Sequence, residues 1–138
     1  NILMAHFVLD SYAMLAYFRN EDGGEKVEQL LNEAVADKHE LYMTCINAGE
    51  VYYMASRKDG VNKAEIVWKA LQQFPIHIVE VDLVFTFKAA KLKAANKLSY
   101  ADAFAAVLTI AKKATLITGD REFDNLLKEA GFKVKYII

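Results

Sequence analysis

The chain has 138 residues, 54% of them hydrophobic, and a formal net charge of -1 at neutral pH. That is enough apolar material for one domain with a single core, and the near-neutral balance excludes the strong overall basicity of a histone-like or tail-driven nucleic-acid binder, so any polyanion site has to be local. Cys45 is the only cysteine, which excludes an intrachain disulfide and points to a reducing compartment, and His6, His39 and His77 are scattered without the paired cysteines of a zinc site.

The most apolar run, Ala103 to Ala111, falls well short of the ~18 residues read as a membrane span. The N-terminal apolar stretch is broken by Asp10 and lacks the basic head of a signal peptide. The expectation is a soluble cytoplasmic protein with no membrane contact. Asn1 to Leu3 precede the first methionine, Met4, and are set aside, so the single domain is taken as residues 4–138.

His6 to Leu9 is a short apolar run that ends on Asp10 and reads as a buried strand. Ser11 to Phe18 reads as a helix closed by the loop Asn20-Glu21-Asp22-Gly23-Gly24. From Glu25, the apolar positions Val27, Leu30, Leu31, Ala34 and Val35 keep helical spacing to about Asp37. Leu41 to Cys45 is the second strand. Asn47 followed three residues later by Glu50 has the form of a capping box, opening a helix that Gly60 ends. A further helix runs from Asn62 to Phe74, where Pro75 stops it. Ile76 to Val81 is the third strand, and Asp82 caps a helix through Phe85, Ala89 and Leu92. Tyr100, Ala103, Phe104, Val107, Leu108 and Ala111 then recur at helical spacing, with Ala105, Ala106 and Ile110 on the other side, so this helix is apolar nearly all round and is expected to be buried. Thr115 to Thr118 is the fourth strand, a last helix runs from Glu122 to Gly131, and Val134 to Ile138 is the fifth strand.

Strands alternating with one or two helices specify an α/β three-layer sandwich around a five-stranded, mainly parallel sheet, because crossovers between parallel strands are right-handed. In such a sheet all strand ends share one edge, and ligands bind there where the strand order reverses. Asp10 ends the first strand and Glu50 lies one turn into the helix after the second. Asp102 opens the buried helix before the fourth strand, and Asp120 follows that strand. Each acid alone has an ordinary use as a helix cap or dipole partner. Together they are four carboxylates in one cleft, with no lysine or arginine beside Asp10, Glu50 or Asp102 in sequence; Arg121 is placed to serve Asp120. Such a cluster needs protons or a bridging cation, and an all-oxygen donor set suits magnesium or manganese. Asp82 also ends a strand and caps a helix, but no second acid accompanies it and its strand is expected at the periphery. Glu122 and Asp124 are read as a solvated helix surface before ligands that bind the cation through water, and Asp22 and Asp37 as loop acids.

These residues resemble PIN domains, and within them the VapC-type toxin ribonucleases of prokaryotic toxin–antitoxin pairs. The resemblance rests on Phe7-Val8-Leu9-Asp10-Ser11, on Glu50, on Tyr100-Ala101-Asp102, and on Thr118-Gly119-Asp120-Arg121-Glu122-Phe123, and it spans essentially the whole chain. It implies that Asp10, Glu50, Asp102 and Asp120 take the family's four acidic positions, as catalytic residues and metal ligands, with Ser11, Asn47 and Thr118 in support. Some relatives carry a further Asp where this chain has Glu122. The implied activity is Mg²⁺- or Mn²⁺-dependent hydrolysis of RNA, in a homodimer whose cleft a small antitoxin covers. Lys88, Lys91, Lys93 and Lys97 are either a contact for the RNA backbone or a solvated helix face. Tyr52, Tyr53 and Tyr100 are read as packing or dimer contacts before base-stacking groups.

Two other α/β chemistries start from an Asp after the first strand. A haloacid-dehalogenase site needs a second Asp two residues on, where this chain has Tyr12, and a receiver domain needs an acidic pair and a late lysine that are not evident. The remaining alternative is a catalytically silent PIN-like module that binds RNA or protein. Such a module lacks one or more of the acids, and here all four are present.

Overall fold

The computed structural model describes residues 4–138, so the segment Asn1 to Leu3 lies outside the described residues. Five strands, β1 (Ala5–Leu9), β2 (His39–Thr44), β3 (Ile76–Val79), β4 (Thr115–Thr118) and β5 (Val134–Tyr136), form one sheet in the order β3-β2-β1-β4-β5. Every neighbouring pair is parallel. Side chains of a strand point alternately to its two faces, and the sequence uses both. Leu9, Leu41, Met43 and Ile117 enter one core, while Val8 and Leu116 enter the other. The first core is closed by α1 (Ser11–Phe18), α2 (Gly24–Val35), α3 (Cys45–Asp59) and α4 (Val61–Gln73), and the second by α5 (Leu83–Ala95) and α6 (Tyr100–Ala111). This is the expected three-layer sandwich, with a wholly parallel sheet.

The connections decide where the site lies. The chain steps from β1 to β2 to β3 with its crossovers on one face, then returns through α5 and α6 on the other face to place β4 on the free side of β1. The strand order therefore reverses between β1 and β4, and the crevice beyond their carboxyl ends is the natural ligand position. Helix α6 packs beneath it, and every residue from Asp102 to Thr109 is buried, as an all-round apolar helix requires. Strand β3, which Asp82 follows, is at the sheet edge.

Three local expectations are corrected. The capping box at Asn47 does not form, because α3 starts two residues earlier at Cys45, which was expected to close the strand: Thr44 is the cap, and its hydroxyl accepts the Asn47 N–H at 3.0 Å. The side chain of Asn47 is thereby released for a longer-range contact. The third strand ends at Val79 and the fifth at Tyr136, both shorter than expected. The last helix, expected to reach Gly131, is a 3₁₀ segment, Arg121–Leu126. Its buried residues, Phe123 and Leu126, are three apart, and Leu127 at the next α-helical position is exposed. That spacing buries one edge at the period of a 3₁₀ helix and gives no reason for a longer α-helix. Among the described residues, no helix is long and apolar enough to cross a membrane.

Candidate active site

The acids named from sequence meet in one cleft of ≈ 360 Å³, lined by Asp10, Glu50, Asp102 and Asp120 together with Ser11, Tyr12, Arg19, Ser99 and Glu122. Each acid is fixed by a local structural duty. Asp10 caps α1, its Oδ1 accepting the Ala13 N–H at 2.9 Å. Asp120 caps the 3₁₀ segment, accepting the Glu122 N–H at 2.9 Å. Asp102 sits in the first turn of α6, where its own N–H is held by the cap Ser99. At Asp10 and Asp120 the cap bond aims the carboxylate itself, whereas at Asp102 the cap holds only the backbone N–H.

The supporting polar residues tie these starts together. Thr118, fully buried at the end of β4, donates its hydroxyl to Asp10 Oδ2 at 2.5 Å and accepts the Asp120 N–H at 3.0 Å, so one side chain sets the spacing of two acids. Asn47, also fully buried, donates from Nδ2 to the Ala101 carbonyl at 3.3 Å and so joins α3 to the first turn of α6 beside Asp102. Glu50 has both oxygens engaged, accepting from Ser11 Oγ at 2.5 Å and from the Tyr53 hydroxyl at 3.3 Å.

Among the described residues, none of the four acids is ion-paired. Burial, with the charges of Asp120 and Glu50 added, raises the Asp10 carboxyl to about 7 despite the bonds from Thr118 and Ala13. Burial, followed by the charges of Asp10 and Asp120, pushes Asp102 up to about 8. Such groups are held in want of positive charge. The donor chemistry fits a hard cation: carboxylate oxygens of Asp102, Asp120 and Glu122 lie within 4.8 Å of one another, close enough for one ion to be shared with water completing its shell.

Glu122, which the sequence leaves between a solvated surface and a ligand through water, stands with Asp102 and Asp120 because the segment is a 3₁₀ turn capped by Asp120 and not a regular helix. The available signal was its place two residues after Asp120. Arg121 does not serve Asp120; its guanidinium lies 3.8 Å over the Tyr136 ring and donates to the Ile138 carbonyl at 3.1 Å. Asp124 is occupied by the Tyr136 hydroxyl. Arg19, unremarked in the sequence, lines the cleft from the end of α1. The α5 lysines stand apart: Lys88 and Lys91 line a separate depression with Glu129, and Lys93 is spent on the Leu98 carbonyl at 2.8 Å. Tyr52 packs against Trp68, and Tyr100 against Phe104.

Gly119 separates Thr118 from Asp120 for a steric reason. A Cβ built there would lie 2.2 Å from Tyr12 Cε1, since the tyrosine ring rests directly on the glycine. Gly119→Ala is expected to push the partly exposed Tyr12 ring aside, at a cost below the ~1–3 kcal/mol of overpacking in a buried core. In chemical denaturation, the added substitution Tyr12→Ala is expected to return most of that loss; a strictly additive pair would refute the contact as the cause.

Residues 7–128 match the family model of the PIN domain. No curated protein gives a significant match. Among solved structures, the chain is similar to VapBC2 from Rickettsia felis, bound to a DNA fragment from its promoter, at 16% identity and a TM-score of 0.72, covering 95% of this chain and 98% of that one. It is similar to the sarcin–ricin loop cleaving toxin VapC20 of Mycobacterium tuberculosis at 15% identity and a TM-score of 0.69, covering 86% and 92%. It is also similar to VapBC-1 of nontypeable Haemophilus influenzae at 17% identity and a TM-score of 0.68, covering 96% and 98%.

Proposed function

Because the chain belongs to the PIN domain family, we propose that it is a metal-dependent ribonuclease, the toxin of a toxin–antitoxin pair, acting in the cytoplasm as a homodimer whose cleft a small antitoxin covers. The observation that carries this reading is the convergence of Asp10, Glu50, Asp102 and Asp120, none of them ion-paired among the described residues, at the point where the strand order reverses. The fold likeness to a toxin described as cleaving the sarcin–ricin loop supports RNA as the substrate class.

Asp102, Asp120 and Glu122 would hold Mg²⁺ or Mn²⁺, with Asp10 behind them. When bound, the ion supplies the positive charge that a phosphodiester needs before it can enter a nest of acids, and it eases deprotonation of water there. Thr118 and the Ala13 amide fix the Asp10 carboxylate in one orientation. Ser11 and Tyr53 hold Glu50 at the cleft wall, where its role would be to accept a proton from the attacking water. Asn47 keeps the α6 terminus, and hence Asp102, in register with α3.

RNA affinity separates this reading from a catalytically silent binding module. Without metal, the bare acids repel the scissile phosphate, so filter binding at fixed ionic strength is expected to be weak with chelator and improved by calcium. Asp10→Asn is expected to bind metal-free RNA at least as well as the native chain and yet fail to cut it with manganese. Tight, metal-independent binding with no cleavage of any RNA offered would establish the binding module instead.

A further inference from the structure

Three depressions bear on where RNA leaves the cleft. One shares Tyr12 and Glu21 with the cleft and adds Asp22, so it is acidic and closed to a polyanion. The depression beside Lys88 and Lys91 shares no residue with the cleft. The third shares Arg19 and Glu21 and continues to Lys58 at the end of α3 and Lys63 at the start of α4. It alone is both continuous with the acids and supplied with lysines.

Arg19 stands at the junction. Among the described residues it is the one cation lining the cleft, and its side chain is only 17% exposed. It is braced against α3: Nη2 donates to the Met54 carbonyl at 3.3 Å, and Nε faces Asp59 at 3.9 Å. Nε makes no hydrogen bond. A guanidinium held in this way is pre-oriented, and since Nε is buried a phosphate would meet its terminal nitrogens. Gly60 separates the two lysine-bearing helix ends, and its φ of 91° turns α3 sharply into α4, which brings Lys58 and Lys63 to one depression. The Lys58 contact with Glu21 is 3.9 Å long between half-exposed groups, weak enough to yield to a phosphate.

Resting on the ribonuclease reading, we infer that the RNA backbone leaves the carboxylate cleft over Arg19, which receives a phosphate next to the scissile one, and continues along the α3–α4 depression past Lys58 and Lys63. The lysines of α5 take no part. Contacts of this kind hold the backbone without reading its sequence.

The test compares manganese-dependent cleavage of a ten-nucleotide RNA and of a dinucleotide by the native chain, Lys58→Ala/Lys63→Ala, Lys88→Ala/Lys91→Ala, Arg19→Gln and Arg19→Lys. Thermal melting checks that each variant folds. For the Lys58/Lys63 pair, KM for the long RNA is expected to rise about tenfold, and the slope of log affinity against log salt to flatten by about 0.7 per lysine, with dinucleotide cleavage unchanged. The Lys88/Lys91 pair is expected to match the native chain. Arg19→Gln is expected to raise KM for the ten-nucleotide RNA, which alone carries a phosphate next to the scissile one, with partial recovery in Arg19→Lys. Loss in the Lys88/Lys91 pair with none in the Lys58/Lys63 pair would overturn the path. Native-like cleavage by both pairs would also overturn it, and would leave the groove as a protein-docking surface. A folded native chain that cuts no RNA would instead refute the ribonuclease reading, and the inference would fall with it.

Discussion

Asp102→Asn is expected to abolish RNA cleavage while leaving the protein folded. Asparagine keeps the shape of the side chain, and the Ser99 cap that starts α6 acts on the backbone N–H of residue 102 and not on its carboxylate. What disappears is one negative charge from the group shared with Asp120 and Glu122, and a hard cation binds through such charges. The loss should be at least roughly two orders of magnitude in rate, the scale on which a single preorganised electrostatic group acts. Circular dichroism should be unchanged. If the substituted protein unfolded while keeping native activity per folded molecule, Asp102 would be a structural residue.

The second large effect is on stability, and its sign follows from protonation. Asp10 and Asp102 titrate near 7 and 8 in the folded chain, against 3.8 for a free carboxylate. Between those values the folded state binds more protons than the unfolded state, so stability falls as pH rises. In chelator, the melting temperature is expected to drop steadily from about pH 5 to about pH 8 and then level off. Millimolar manganese or magnesium is expected to raise it, most at the alkaline end, because an ion that binds only the folded cleft stabilises it by mass action. Asp102→Asn is expected to melt higher than the native chain in chelator at pH 8 and to gain less from metal. Native melting curves that coincide with and without metal at every pH would count against a shared cation site.

The path from sequence to site was most legible where two constraints agreed. Short apolar runs set the strands, and the first and fourth strands lead into acids that also cap the next element, so Asp10 and Asp120 are legible from the chain alone. Burial of α6 likewise followed from its apolar circumference. Legibility failed where a short polar side chain could serve either of two starts. Thr44 and Asn47 both have capping chemistry, and only packing selects Thr44, which frees Asn47 to reach Ala101. The segment after Asp120 reads as an α-helix although its apolar residues fit the helical period for one turn only, and the 3₁₀ turn that forms instead is what brings Glu122 to Asp102 and Asp120. Arg19 was not legible at all. Its role depends on α3 passing beside the end of α1, a contact between residues 35 apart in the chain that no local pattern announces.

The central claim is that the carboxylate cleft cuts RNA with a divalent cation, and the most direct measurement is incubation of the purified chain with mixed cellular RNAs in manganese, in magnesium and in chelator, beside Asp102→Asn. Discrete cleavage products with either metal, lost in chelator and lost in the variant, are the predicted result. Intact RNA under every condition with a folded native protein, or equal cleavage by native and variant in chelator, would contradict it.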